Sequence, residues 1–114
     1  MFNFFQLKGH VIKEISGLEE GSDEVLITTN KGVLRLYHQQ DCCESVRVQG
    51  VSSGSIESVI GSEVTLAEDD SIQSGGTVTT FRIDTEKGSL VFSFLGESNG
   101  YYSEEVDLSF QKFS

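Results

Sequence analysis

The chain has 114 residues, with 18 Asp and Glu against 8 Lys and Arg, and a formal net charge of −10. This acidic balance argues against direct nucleic-acid binding, because neutralising phosphates requires clustered cations. No run approaches the roughly 20 apolar residues that a membrane-spanning helix needs, and the first residues lack the basic start of a secretory signal. We therefore expect a single domain (1–114), without membrane contact, in the cytoplasm.

The chain contains no proline, and Gly, Asn, Asp and Ser divide it into short segments rich in β-branched and aromatic residues. Such segments predict β-strands. Asn30-Lys31-Gly32 separates two of them and predicts a tight hairpin in which Gly32 has a positive φ. The predicted strands are 10–16, 23–29, 33–38, 45–49, 63–68, 77–85, 89–95 and 104–110.

Two other stretches interrupt the strands. Ile56, Val59 and Ile60 have helical spacing and predict the only helix, of one to two turns, within residues 51–61. Residues 69–76 are polar and glycine-rich, which predicts a mobile loop. The expected fold is mainly β: an antiparallel meander rolled into a small barrel or β-roll with one short helix.

Residues 38–44 form the chemically most unusual segment, and we call them the 38–44 segment. The residues with reactive or charged side chains in it are His38, Asp41, Cys42, Cys43 and Glu44. His38 continues the alternation of Leu34 and Leu36, so it should point to the buried face. Cys42 and Glu44 share the alternation of Val46. Because a bond between adjacent cysteines closes no useful loop, we expect reduced thiols.

Three interpretations of the 38–44 segment remain open. His38, Asp41 and one cysteine could bind zinc, although neighbouring cysteines in an extended stretch point apart and no second His/Cys cluster exists. His38 could activate Cys42 or Cys43 as a nucleophile. In a purely structural interpretation, the cysteines are small buried residues, Asp41 and Glu44 accept backbone N–H groups at a turn, and a neighbour satisfies His38. No metal or cofactor is predicted.

Residues 96–103, the 96–103 segment, lie between two predicted strands. Asn99-Gly100 predicts a tight reversal with positive φ, and therefore a hairpin loop. The same loop carries Glu97 and two tyrosines, Tyr101 and Tyr102. The rings and hydroxyls of the tyrosines suit a ligand or a partner. A structural turn and a binding loop are both open.

These two segments resemble a family of uncharacterised small domains encoded mainly by bacteriophages and prophages. Its pattern pairs H-x-x-D-C-C-E-S-V, here residues 38–46, with G-E-S-N-G-Y-Y-S, here residues 96–103. The likeness extends to G-x-x-I-x-x-I-x-G-L at residues 9–18 and to V-I-G at residues 59–61. It implies a phage or prophage setting, with the host cytoplasm as location, and brings no established activity.

The favoured hypothesis is a non-catalytic phage accessory module that binds a host protein or small ligand. The two segments would converge into one polar patch. Its candidate binding residues are His38, Asp41, Cys42, Cys43, Glu44, Glu97, Asn99, Gly100, Tyr101 and Tyr102.

Two other functions remain open. The first is acidic mimicry of a nucleic acid, which would inhibit a host DNA- or RNA-binding factor. The second is a metal- or thiol-dependent enzyme centred on His38 and Cys42. The carboxylates available for mimicry are Glu19, Glu20, Asp23, Glu24, Glu57, Glu63, Glu68, Asp69, Asp70, Glu104, Glu105 and Asp107.

Overall fold

The computed structural model describes all 114 residues and contains eight strands in two antiparallel sheets. The strands of the first sheet, in spatial order, are β1 (Ile12–Ser16), β2 (Val25–Thr29), β3 (Gly32–Tyr37) and β8 (Asp107–Lys112). Those of the second sheet are β4 (Ser45–Gly54), β7 (Ser89–Glu97), β6 (Thr77–Thr85) and β5 (Val64–Gln73). The mainly β prediction is confirmed. An isolated bridge between Val11 and Glu63, with the N–H of Val64 donating to the carbonyl of His10, joins the edges of the two sheets beside β1 and β5. The pairing does not close the structure into a barrel.

One apolar cluster of 18 buried residues takes members from both sheets. Leu34 and Leu36 come from β3, and Phe92 and Phe94 come from β7, all fully buried. They lie inside because side chains alternate between the two faces of a strand, so that one face of each sheet can be apolar.

A short 3₁₀ helix, Phe4–Leu7, precedes the first strand and was not predicted. Phe4 is buried and packs edge-to-face on Phe81 of β6, with ring centroids 4.8 Å apart. Asn3 begins the helix: its backbone N–H donates to the side chain of Gln6 at 2.7 Å. None of the helical segments has the length and hydropathy of a membrane span.

The helix predicted within residues 51–61 is wrong. The first part of that stretch continues β4, and Gly54 pairs with Leu90 of β7. The rest forms two successive turns, whose bonds run from the N–H of Ser58 to the carbonyl of Ser55 and from the N–H of Val59 to the carbonyl of Ile56. Two bulges in β4 break its alternation after Val48, which explains why the sequence pattern ended there.

The mobile loop predicted at residues 69–76 is also wrong. β5 runs through Gln73, and Asp69 pairs with Phe81 while Gln73 pairs with Thr77, so only residues 74–76 form the turn. This part of β5 is polar because it is an edge strand with both faces exposed. Charged residues on an edge strand discourage pairing with other chains.

The hairpin at Asn30-Lys31-Gly32 is confirmed, since Thr28 of β2 pairs with Val33 of β3. Gly32, however, does not have a positive φ. It is required for a different reason: a Cβ at this position would meet the carbonyl oxygen of Gln111 and would lie 2.9 Å from Cα of Lys112. The close approach of β8, which sequence spacing does not show, leaves no room for a side chain.

We therefore expect Gly32→Ala to destabilise the protein by about 1–3 kcal/mol, the usual cost of overpacking. The loss should come with faster amide hydrogen exchange in β8, because the added methyl group separates β8 from β3. Urea unfolding and hydrogen exchange measure the two effects. Lys31→Ala, in the same turn but exposed, is the matched control and should leave both nearly unchanged. Equal effects of the two substitutions would contradict the steric explanation.

Candidate functional site

The chain crosses between the two sheets twice, and both crossings lie at the same end of the molecule. The 38–44 segment leads from β3 to β4, and residues 98–106, which we call the return loop, lead from β7 to β8. Pairing holds the crossings side by side: Tyr37 pairs with Asp107 on one sheet, and Ser45 pairs with Glu97 on the other. The 96–103 segment is therefore part of a crossing between sheets and not, as predicted, a hairpin loop.

His38 connects the two crossings. Its Nε2 lies 2.8 Å from Oε2 of Glu44, and its Nδ1 lies 2.7 Å from the carbonyl oxygen of Glu105 in the return loop. The side chain of His38 is 4% exposed and that of Glu44 is fully buried. The prediction that His38 points to the buried face is confirmed.

The Glu44 carboxylate also closes the turn that precedes it. Its two oxygens accept the backbone N–H groups of Asp41 and Cys42, each at 2.9 Å. The side-chain amide of Gln40 donates to the carbonyl oxygens of Cys42 and Glu44, at 3.2 and 2.5 Å. The side chain of Asp41, by contrast, makes no hydrogen bond and the residue is exposed, so only Glu44 plays the predicted turn role.

The hydrogen bonds of His38 determine its charge. A carboxylate and a carbonyl oxygen can only accept, so both ring nitrogens must donate, and the ring is then an imidazolium. Burial by itself lowers the pKa of His38, but the bonds to Glu44 and to the Glu105 carbonyl outweigh it and raise the pKa above 6.5. The bond from His38, together with the N–H groups of Cys42 and Asp41, lowers the pKa of Glu44 to about 2 against the opposing effect of burial.

The sulfur atoms of Cys42 and Cys43 lie in contact with each other, and both residues are exposed. The expectation that the cysteines are buried is therefore wrong, and their side chains do not point apart as predicted. The prediction assumed an extended stretch, in which neighbouring side chains point to opposite sides. The stretch instead bends around the Glu44 carboxylate, and the bend brings the two sulfurs together.

Neither chemical interpretation of the 38–44 segment agrees with this geometry. Both ring nitrogens of His38 are already bonded within the protein, so none is left for zinc or for activating a thiol. No hydrogen bond joins His38 to Cys42 or Cys43, and no group of three or more His, Cys, Asp and Glu side chains is placed to hold a metal ion.

The 96–103 segment is held by Glu104. The Glu104 carboxylate accepts the hydroxyl groups of Ser98, at 2.5 Å, and of Thr77, at 2.7 Å. These two bonds, the one from Ser98 first, lower the pKa of Glu104. Gly96 permits the contact, because a Cβ there would lie 2.8 Å from Cβ of Glu104. Gly100 has the predicted positive φ, 87°.

The two segments share one cavity of about 360 Å³. Its lining residues are Cys43, Ser45, Glu97, Ser98, Asn99 and Tyr102. Of the predicted binding residues, Cys43, Glu97, Asn99 and Tyr102 thus meet around one opening, whereas His38 and Glu44 are buried side chains and do not line it. Asp41, Cys42, Gly100 and Tyr101 are exposed outside it.

Tyr101 is the most exposed aromatic residue here, with 83% of its surface accessible. Its ring packs edge-to-face on Tyr102, with centroids 5.2 Å apart. The backbone under it is fixed, because the N–H of Tyr101 donates to the side chain of Asn99 at 2.9 Å. Asn99 therefore shapes the turn as well as lining the cavity.

The sequence interpretation missed the side chains that hold the site together. Gln40 was not singled out, and Glu104, Glu105 and Asp107 were considered only as surface charges. Asp107 accepts the backbone N–H of Gln39 at 2.9 Å. These bonds join residues up to 68 positions apart, and no local pattern signals such a contact.

The two histidines give opposite pH dependences of stability. His38 has a raised pKa, so its contribution is complete below pH 6.5 and is lost as the pH rises through the raised value. His10 is buried beside Thr29, and burial first and then the charge of Lys31 lower its pKa. Its contribution is complete above pH 6.5 and is lost as the pH falls.

In the His38→Gln variant only His10 remains, so we expect its stability to rise with pH near neutrality. In the His10→Gln variant only His38 remains, so we expect its stability to fall as the pH rises. Each slope is limited to about 1.4 kcal/mol per pH unit, the value for one proton. Urea unfolding of both variants between about pH 5 and 8 measures the slopes, and the wild type supplies the control, since its two effects oppose each other. Slopes of the same sign in the two variants would contradict the assigned charge states.

A family model described as a domain of unknown function, DUF7448, matches residues 6–108. No curated protein matches the chain, and no solved structure does. The matched range begins in the 3₁₀ helix, ends in β8 and includes both crossings between the sheets. The chain belongs to the DUF7448 family of domains of unknown function.

Proposed function

We propose that this domain is a non-catalytic bacteriophage or prophage accessory protein that binds a host protein in the host cytoplasm. The binding surface would consist of the exposed residues of the two segments, and we call it the crossover surface. Its members are Asp41, Cys42, Cys43, Glu97, Asn99, Gly100, Tyr101 and Tyr102. The phage setting rests on the resemblance of residues 38–46 and 96–103 to phage-encoded domains.

The exposed Tyr101 is the observation that carries the proposal. An aromatic ring that is 83% exposed gains nothing from the protein's own core. Its loop is already ordered by Asn99 and Glu104, so a partner would bind it at a small cost in conformational entropy. Tyrosine is also enriched among the residues that dominate binding energies at protein interfaces.

The shape of the crossover surface favours a protein over a small ligand as the partner. Sites for small molecules enclose most of the ligand in a deep apolar cleft. The cavity between the segments, of about 360 Å³, is lined mostly by polar residues, and Tyr101 projects beside it. A raised aromatic residue next to a shallow polar hollow fits the surface of another protein better.

Mimicry of a nucleic acid is less well supported. Several candidate carboxylates are engaged within the protein: Asp23 pairs with Arg47, Glu24 pairs with Arg35, and Glu104 accepts two hydroxyl groups. Others face apart, since neighbouring residues such as Glu68 and Asp69 on β5 point to opposite faces of the sheet. Mimicry would need a row of free carboxylates on one face.

We expect Tyr101→Ala to weaken capture of a partner from bacterial host lysate by at least about tenfold, in line with the loss of an interface hot spot. The melting temperature should stay within about a degree of the wild type, because exposed side chains contribute little to stability. Capture on the immobilised protein, with mass spectrometry and then a measured Kd for the purified partner, checks both effects.

Phe113→Ala is the matched control, because Phe113 is also exposed, at 52%, but follows β8 at the hairpin end of the first sheet. It should leave capture unchanged. Undiminished capture by the Tyr101 variant would sink the proposed surface. Asp41→Asn gives an independent second variant, since that side chain makes no hydrogen bond within the protein.

A further inference from the structure

A second and larger cavity, of about 590 Å³, lies between the N-terminal residues and the start of β8. We call it the apolar groove. Its apolar lining includes Phe2, Phe5, Tyr37 and Leu108. Phe5 is 63% exposed although it lies in the 3₁₀ helix, whose Phe4 and Leu7 are fully buried. The groove shares no lining residue with the cavity between the two segments.

Carboxylates surround the groove. Asp69 comes from β5, Glu105 from the return loop and Asp107 from the first position of β8. No Lys, Arg or His side chain lines it, and the one cationic group among its lining residues is the α-ammonium group of Met1. The carboxylates of Asp69 and Glu105 take part in no hydrogen bond or ion pair, so they are free to meet a cation, whereas Asp107 is already bonded to Gln39.

We propose that the apolar groove binds a peptide segment of a partner protein in which an aromatic or aliphatic residue adjoins Arg or Lys. The apolar side chain would cover Phe5 and Leu108, and the cation would lie between Asp69 and Glu105. This goes beyond the proposed function, because it assigns a second surface and the chemistry of its ligand.

Charge complementarity supports this occupant. Anionic ligands, including phospholipid head groups and nucleic-acid backbones, would be repelled by the three carboxylates. A purely apolar ligand would leave the carboxylates unused and partly desolvated, at a cost in free energy. Arginine suits the site best, since its planar guanidinium can bond one carboxylate with two N–H groups while its flat face packs on an aromatic ring.

The test uses the full chain labelled with ¹⁵N and three short peptides. N-acetyl-Phe-Arg-Phe-amide is the probe, and the controls replace Arg by Glu or both Phe by Gly. We expect saturable shifts of amide signals at Phe5, Tyr37 and Leu108 with the probe, and affinities at least about tenfold lower for both controls. Added salt should weaken the probe's binding, because the ion pair is exposed at the surface.

Two substitutions connect the effect to the groove. Glu105→Gln keeps the carbonyl that bonds His38 and removes only the charge, and it should lower the probe's affinity at least threefold, or about 0.65 kcal/mol. Glu20 is exposed and does not line the groove, so Glu20→Gln removes the same charge and should have a much smaller effect. Tyr101→Ala should leave the affinity for the probe unchanged, so this result stands apart from the test of the crossover surface.

Several outcomes would overturn the proposal. These are equal binding of the Arg and Glu peptides, shifts confined to other parts of the chain, or no saturation at millimolar peptide. One further result would also overturn it: with no peptide present, the amide signals of the groove and those of Lys112 and Phe113 shift together as the protein concentration is raised. That pattern would make a second copy of this chain the occupant, through its exposed basic and aromatic C-terminal residues.

Discussion

The buried ion pair between His38 and Glu44 connects the two places where the chain passes from one sheet to the other. His38 begins the first crossing, and Glu44 ends it. The second nitrogen of the same ring bonds the return loop at Glu105. One imidazolium therefore fixes both crossings against each other. Without this contact the sheets would still pack through their apolar faces, and the bonds of Glu104 to Ser98 and Thr77 would still hold the return loop. The first crossing would then be tied to the end of the second mainly by the bond from Gln39 to Asp107.

This contact separates the residues of the 38–44 segment into two groups. His38, Gln40 and Glu44 bond within the protein and shape the turn. Asp41, Cys42 and Cys43 are left on the outside of that turn. A buried ion pair costs desolvation and adds little net stability, and in some proteins it favours one arrangement over others. Here the turn that it closes places Cys43 at the same cavity as Tyr102.

Most of the fold could be predicted from the sequence, because alternation and turn residues are local signals. Strand β6 was predicted with its observed bounds, and His38 was predicted to be buried. The errors come where tertiary contacts or short turns resemble another local pattern. Edge exposure makes the end of β5 polar enough to resemble a loop. Two successive turns after β4 give Ile56 and Val59 the spacing of a helix without forming one. The partners of His38 could not be predicted, since Glu105 is 67 positions away.

The most direct test of this account is a ¹³C NMR titration of the Glu44 carboxyl and the His38 ring in the folded protein. We expect the Glu44 carboxyl to titrate at about 2 and the His38 ring above 6.5. In the His38→Gln variant, the pKa of Glu44 should rise, because its main hydrogen-bond donor loses its charge. Ordinary pKa values for both groups in the wild type would contradict the central role of the ion pair.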